Sequence, residues 1–459
     1  MIRAQRTGAA RSPRQWGVRL PWSARPDHGR AAERENHARG EALRLVRDGL
    51  CAVCRERDVA ATRWLSYFVM ESHAQQGTRA RVHAAAGLCP AHTRCLLADE
   101  SAPWLMPQFL DLAVGGGTRL LGEPGTGPAR CPCCVAGDDA AERALETLLR
   151  AFDHAPVRGA VRDGAVCLPH TAALAARVPA PYALELASAA SAALAQEPCE
   201  TAWLAGGDED ADARAELHLR MDPLLLDEEQ GRSRSVTDRW NADVGRGCCP
   251  LCLAEHRATW RLLRWAAAAT GPGRPAREEC ALCAPHLYDL AAIGGPNVDA
   301  VLAENRSQWD ARLSRFGRAL SESRKAQTQL GAHLLSAPRC RACDAGDEAA
   351  QRQASLLVAQ LHDPVQAERY GHEHGICLRH ALNWQGRPPA VVREVSTARL
   401  ALLRWEIDET LREQDWHTRH EIKGSAARVS ARAPTLLDGR IYAGLPAPDE
   451  SRHPSNRER

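Results

Sequence analysis

The feature that most constrains this chain is a phrase of metal-ligating residue types that occurs four times. Cys51-Ala-Val-Cys54 is answered downstream by Cys89-Pro-Ala-His92, and Cys131-Pro-Cys-Cys134 by Cys167-Leu-Pro-His170. Cys249-Pro-Leu-Cys252 is answered by Cys283-Ala-Pro-His286, and Cys340-Arg-Ala-Cys343 by Cys377-Leu-Arg-His380. From second cysteine to third the gaps are 35, 33, 31 and 34 positions. One Cys-x2-Cys arises by chance in a cysteine-rich chain; four, each matched by a Cys-x2-His, do not. Two residues between ligands let one turn aim both side chains at a single tetrahedral ion, and three thiolates with one imidazole suit Zn2+.

The simplest pairing closes each repeat on itself. Cys51, Cys54, Cys89 and His92 then hold one ion, Cys131, Cys134, Cys167 and His170 a second, Cys249, Cys252, Cys283 and His286 a third, and Cys340, Cys343, Cys377 and His380 a fourth. That gives about four Zn2+ per chain. Iron-sulfur clusters are the rival occupant of such thiol sets. Thioredoxin-like dithiols explain a Cys-x2-Cys pair but not its Cys-x2-His partner. A c-type haem is excluded, because Arg55, Val135, Leu253 and Asp344 stand where the histidine would follow.

Five of the 17 cysteines are left over: Cys95, Cys133, Cys199, Cys248 and Cys280. Cys133 competes for the second site, and Cys280 with Cys283 offers an all-cysteine alternative beside Cys249 and Cys252. Cys95 and Cys199 fall on expected helices and read as small buried apolar groups. This cysteine usage without a secretory signal points to metal chemistry in a reducing compartment, and the expected location is cytoplasmic.

Each Cys-x2-Cys is followed by apolar residues at helical spacing, such as Trp64, Leu65, Phe68 and Val69, or Leu145, Leu148, Leu149 and Phe152. Trp260, Leu263 and Trp265, then Leu356, Leu357 and Leu361, repeat the pattern. A second helix follows each Cys-x2-His, as over 181–196, 297–321 and 390–412. The fold class is all-α: four tandem zinc-stapled helical hairpins arranged as two duplicated halves. A unit of this size has a thin core, and a bound structural metal supplies about 10–16 kcal/mol toward folding it.

The resulting organisation has a disordered basic leader over 1–40 and a first pair of repeats over 41–204. An acidic, mobile linker over 205–243 carries an apolar strap at 221–227, and a second pair of repeats spans 244–418. An extended strap and disordered tail fill 419–459, where Ala433 to Asp438 echoes the 221–227 phrase and Trp416 echoes Trp203. Gly115-Gly116-Gly117 and the 122–127 stretch lack the ending of a phosphate loop and read as linker. His372-Glu373-His374 lacks the spacing of one helical face and reads as a solvated loop.

The Cys-Pro-Leu-Cys phrase with its later Leu/Ile-Cys-x2-His resembles uncharacterised prokaryotic families of helical proteins with predicted zinc-binding cysteines. The resemblance covers the knuckles and the helices beside them and implies a fold rather than an activity. No nucleophile, base and orienting acid assemble into a catalytic set, and no cofactor fingerprint or small-molecule site is present, so an enzyme is not the expected class. Arginine is abundant, but formal net charge is only +2. Each filled site contributes a further −1, bringing the chain to about −2, so no pull on polyanions follows. The expected function is a non-enzymatic scaffold for a protein partner. Thiol or iron-sulfur redox and metal handling is the first alternative and nucleic-acid binding the second. No run of apolar residues reaches membrane-spanning length.

Overall fold

The computed structural model describes residues 28–47, 51–98, 105–123, 127–196, 201–207, 249–268, 281–322, 331, 334–335, 339–372, 375–384, 388–413, 417–418, 420–421 and 429–439. The expected strap at 221–227, Trp416, Cys199, Cys248 and Cys280 lie outside them. The described chain is all-α, with eighteen α-helices and no strand among the described residues. None of these helices is long and apolar enough to cross a membrane.

The first half contains α1 (His28–Leu45), α2 (Ala52–Met70), α3 (Gln76–Ala84), α4 (Pro90–Ala98), α5 (Met106–Gly122), α6 (Pro132–Arg150), α7 (Ala155–Ala160), α8 (Leu168–Ala175), α9 (Ala180–Leu194) and α10 (Thr201–Ala205). The second contains α11 (Pro250–Ala268), α12 (Ala284–Ile293), α13 (Val298–Glu322), α14 (Arg341–Gln360), α15 (Pro364–His372), α16 (Leu378–Leu382), α17 (Ala390–Glu413) and α18 (Val429–Asp438). Helix α1 begins inside the stretch expected to be a disordered leader, and its Ala42 and Leu45 are buried. The strap after the fourth repeat is helical rather than extended.

In each half the helices that follow the two Cys-x2-Cys phrases pack on each other, α2 on α6 and α11 on α14. They run antiparallel. Ala52 and Val53 at the start of α2 share an apolar cluster with Leu148 and Phe152 beyond the middle of α6. Leu65, Phe68 and Val69 at its end share another with Cys131 and Cys133 at the start of α6. In the second half the Thr259 hydroxyl donates to the Ala342 carbonyl at 3.3 Å, joining the middle of α11 to the first turn of α14.

The halves interlock through the helices that follow the Cys-x2-His phrases. Helix α9 packs along α13, and α5 along α17. One apolar cluster joins Leu148, Phe152 and Leu186 of the first half to Leu313 and Phe316 of the second. Another joins Phe68, Phe109 and Leu110 to Leu403 and Ile407. Glycines 115 to 117 lie within α5 rather than in a linker. Glycine costs about 1 kcal/mol against alanine in a helix, which is why the run reads as a break. Here it permits close approach: a Cβ on Gly116 would strike the His83 carbonyl, and one on Gly117 the Leu378 side chain.

Candidate metal centres

All eight phrases begin helices, and the chain geometry explains their two-residue spacing. The carbonyl of the first cysteine accepts the first helical hydrogen bond in every case. Arg55, Thr93, Val135, Thr171, Leu253, Leu287, Asp344 and Ala381 donate to Cys51, Cys89, Cys131, Cys167, Cys249, Cys283, Cys340 and Cys377 respectively. The first ligand is therefore the residue that opens the helix, and the second lies in its first turn on the same face. The positive end of the helix dipole falls where the thiolates gather. Proline fits these starts, as at Pro90, Pro132 and Pro250, because the first-turn N–H has no helical partner to lose.

Each helix start supplies two ligands, and two helix starts make a group able to hold a metal ion. Four such groups form among the described residues: centre I from Cys51, Cys54, Cys167 and His170, and centre II from Cys89, His92, Cys131 and Cys134. Centre III comprises Cys249, Cys252, Cys377 and His380, and centre IV Cys283, His286, Cys340 and Cys343. The sixteen residues are those singled out from the sequence, but their pairing is exchanged. No repeat closes on itself. The first repeat's Cys-x2-Cys meets the second repeat's Cys-x2-His and the reverse, and the third and fourth repeats do the same.

Helix length is the reason. The 19 residues of α2 carry the chain about 28 Å from Cys51. The nine-residue α3 that follows covers only about 13 Å of any return. His92 thus stays at the far end of α2, where antiparallel α6 begins. At the other end α6 finishes beside Cys51, and the short α7 leads to Cys167.

The distances suit a tetrahedral ion. A metal–sulfur bond of about 2.3 Å makes the sulfur–sulfur edge of a tetrahedron about 3.8 Å. Cys54 and Cys167 sulfurs are 3.8 Å apart, Cys89 and Cys134 3.7 Å, Cys252 and Cys377 3.6 Å, and Cys283 and Cys343 3.8 Å. Disulfide sulfurs would be about 2.05 Å apart; these cysteines are free. In every centre the histidine turns Nδ1 to the sulfurs, from 3.0 Å for His92 and Cys89 to 3.7 Å for His92 and Cys131.

Three thiols this close cannot all ionise without a cation. Cys51, Cys131 and Cys340 are held far below the ordinary thiol range, chiefly by hydrogen bonds with Cys167, Cys133 and Cys283. Cys89, Cys167 and Cys343 are pushed far above it, chiefly by hydrogen bonds with Cys131, Cys51 and Cys283. Burial alone would lower each imidazole. Neighbouring thiolates reverse that, raising His170 to about 9, His92 and His286 to about 10 and His380 to about 12. A divalent ion replaces the protons that these groups would otherwise share.

The surroundings differ from centre to centre. At centre III the His380 Nε2 lies 3.4 Å from Glu255 Oε2, and Arg379 donates to the same oxygen at 2.7 Å. Arg379 also reaches the Cys252 sulfur at 3.6 Å. Burial opposes ionisation of Glu255, but its bonds to His380 and Arg379 hold it at about 2. The buried Tyr370 hydroxyl accepts the Ile376 N–H at 3.2 Å, fixing the backbone before Cys377.

Two centres are closed by glycine. After α10 the chain turns at Gly206, whose φ of 88° favours glycine, and a Cβ there would lie 3.4 Å and 3.5 Å from the Cys54 and Cys167 sulfurs. The next amide, Gly207 N–H, donates to Cys54 Sγ at 3.4 Å. After α18, Gly439 has φ 71°, and its Cβ would fall inside the Cys252 sulfur and 2.6 Å from that of Cys377. Gly206 is anchored by Tyr288 of α12, whose hydroxyl donates to its carbonyl at 2.9 Å. Sequence reasoning missed these caps. Their signal is a short phrase ending in glycine at the close of the last helix of each half, Trp203-Leu-Ala-Gly206 and Leu436-Leu-Asp-Gly439.

Of the spare cysteines, Cys133 is buried in an apolar cluster and is not part of a centre, and Cys95 is exposed rather than buried. The His372 phrase stands at the end of α15, and residues 373 and 374 lie outside the described set.

No family model, curated protein or solved structure matches the chain.

Proposed function

We propose that the chain is a non-enzymatic, zinc-stapled helical scaffold that binds about four Zn2+ and presents its surface to a protein partner in a reducing cytoplasm. One observation carries the reading. Every centre gathers three sulfurs and one imidazole nitrogen at tetrahedral spacing. The protein supplies all four ligands, leaving no coordination position for water or substrate, which is the pattern of a structural site. Regular Cys-x2-Cys and Cys-x2-His knuckles favour zinc over iron-sulfur by ligand type.

The scaffold reading draws on the same closure and on surface chemistry. Met70, Val365 and Trp405 are respectively 67%, 68% and 58% exposed, apolar groups available for contact with another protein. The near-neutral charge gives nucleic acid little electrostatic attraction. Elemental analysis and a visible spectrum of anaerobically purified protein test the metal assignment. The expected result is about four zinc ions per chain and no visible colour; a brown solution with broad absorption and stoichiometric iron would replace zinc by iron-sulfur. Affinity capture under reducing conditions, with and without chelator, tests the scaffold role. The expected result is a saturable protein partner lost on metal removal, and none in either condition would refute it.

A further inference from the structure

The four centres differ in how far their sulfurs can be reached from solvent. Cys54, Cys167, Cys249, Cys252 and Cys377 in centres I and III are buried and Cys51 is half-buried, and Gly206, Gly207 and Gly439 lie on the sulfur faces of these two centres. At centre II, Cys131 is buried and Cys89 and Cys134 are half-buried. Centre IV alone among the four has an exposed ligand residue, Cys343, and its neighbour Cys283 is half-buried. These two sulfurs are 3.8 Å apart. They can close to the disulfide length of about 2.05 Å with a small movement of the first turn of α14.

On this basis, and resting on the zinc reading above, we propose that centre IV is a redox-responsive site: a hydroperoxide joins Cys283 to Cys343 and expels the ion, while the sealed centres I and III keep theirs. The chemistry balances. The Cys343 thiolate attacks the distal oxygen of the hydroperoxide, the O–O bond breaks, and the alkoxide takes a proton and leaves as an alcohol, with a sulfenic acid remaining on Cys343. The Cys283 thiolate attacks that sulfur, the S–O bond breaks, and hydroxide takes a second proton and leaves as water. Two thiolates have been oxidised by two electrons and one peroxide reduced. Only Cys340 and His286 are then left as ligands, too few to retain Zn2+.

Release acts on the fold at a defined place. Centre IV fastens the start of α12 to the start of α14, alongside the Arg341 N–H bond to the Ala281 carbonyl at 2.9 Å. The Leu282 N–H is held separately by Asn305 Oδ1 at 3.3 Å. The new Cys283–Cys343 bond keeps the start of α12 joined to the first turn of α14, while Cys340 and His286 lose the ion they shared, so oxidation rearranges one region of the scaffold without dismantling the rest.

The test uses the full-length metal-loaded protein. Zinc content is measured first, so failure of the zinc reading is seen before any oxidant is added. Hydrogen peroxide is then titrated while released zinc is followed with a chromogenic chelator, and disulfides are mapped by alkylation and mass spectrometry. The expected result is one zinc released at least about tenfold faster than the rest, following thiolate accessibility. A Cys283–Cys343 linkage should appear in step with it and dithiothreitol should reverse it. Loss of all zinc in a single phase, or first linkages among the cysteines of centres I, II or III, would overturn the proposal. Because Cys343→Ser alters the site itself, the mapped linkage in the unmodified chain decides the matter.

Discussion

Centres I and III differ from II and IV in how they are built and how they are closed. In the inner centres the ligands are near in sequence: Cys89 and Cys134 are 45 positions apart, and Cys283 and Cys343 are 60. In the outer centres Cys51 and His170 are 119 positions apart, and Cys249 and His380 are 131. The outer pairs enclose the inner ones, and each outer centre is then covered by a glycine from a segment after the last helix of its half. Short-range contacts form early and cost less chain entropy. The inner centres are thus positioned to assemble first and remain accessible, whereas a sealed outer centre requires a completed half.

The largest expected effect comes from removing a ligand at a sealed centre. Cys377→Ser should release one zinc and remove a large part of the net stability of about 5–15 kcal/mol typical of folded proteins, because metal binding is here folding energy. The loss should spread. Leu378, next to that ligand, packs in the cluster that joins Phe109 of the first half to Leu403 of the second. Hydrogen exchange should therefore show α5 and α17 losing protection together. Protection lost from the second half alone would mean that the shared clusters do not couple the halves.

Glycine substitutions separate the two caps. Gly439→Val places a branched side chain into two sulfurs at a positive φ, and should cost about 2–4 kcal/mol with loss of zinc from centre III. Gly206→Ala meets the sulfurs only at ordinary contact, 3.4 Å and 3.5 Å, so its cost is the backbone strain of about 1–2 kcal/mol. Gly159→Ala, where nothing lies within 4 Å of the added Cβ, serves as the neutral reference. Thermal melts with metal counts on the three variants rank them, and equal behaviour of Gly439→Val and Gly159→Ala would remove the caps from the account.

The same comparison explains what could be read from the sequence. Ligand identity was legible because the two-residue spacing reports a local geometry, the first turn of a helix. The helices after each phrase were legible for the same reason: α9, α13 and α17 begin and end within two residues of the expected bounds. Pairing was not legible, since the four gaps of 31 to 35 positions fit self-closure and exchange alike. What decides between them is the antiparallel packing of α2 on α6 and α11 on α14, a long-range fact. The breaks that shorten α3 and α15 were the available clue, because nine-residue helices cannot retrace one of about 28 Å. Glycine was misread in α5 and passed over at the caps for one physical reason. In α5 and at the caps, its role is set by what approaches it from elsewhere in the fold.

A smaller effect distinguishes the two sealed centres from each other. At centre III, Glu255 holds the outer nitrogen of His380, three residues beyond Cys252; at centre I the matching position is Arg57, which instead donates to the Gly207 carbonyl at 3.0 Å. Glu255→Ala should weaken zinc at centre III by about ten- to a hundredfold, the usual cost of losing such an outer partner. Arg57→Ala should loosen the segment covering centre I with less effect on affinity. Competition with a calibrated chelator measures both, and an unchanged affinity in Glu255→Ala would show that the carboxylate does not orient the imidazole.

The smallest expected effect concerns Cys133, the thiol that stands between the two ligands of a more open centre. It is fully buried among apolar residues, and its hydrogen bond with the neighbouring Cys131 sulfur, with burial second, pushes it far above the ordinary thiol range. It stands outside the four-ligand group of centre II and packs as a small apolar group. Cys133→Ala should therefore leave the zinc count unchanged and cost about 1 kcal/mol for the lost sulfur. Cys133→Ser should cost more, because it buries a hydroxyl among apolar groups. A variant that lost one zinc would show Cys133 exchanging with Cys131 or Cys134 in centre II. The inner centre would then differ from the sealed ones in the identity of its ligands as well as in their exposure.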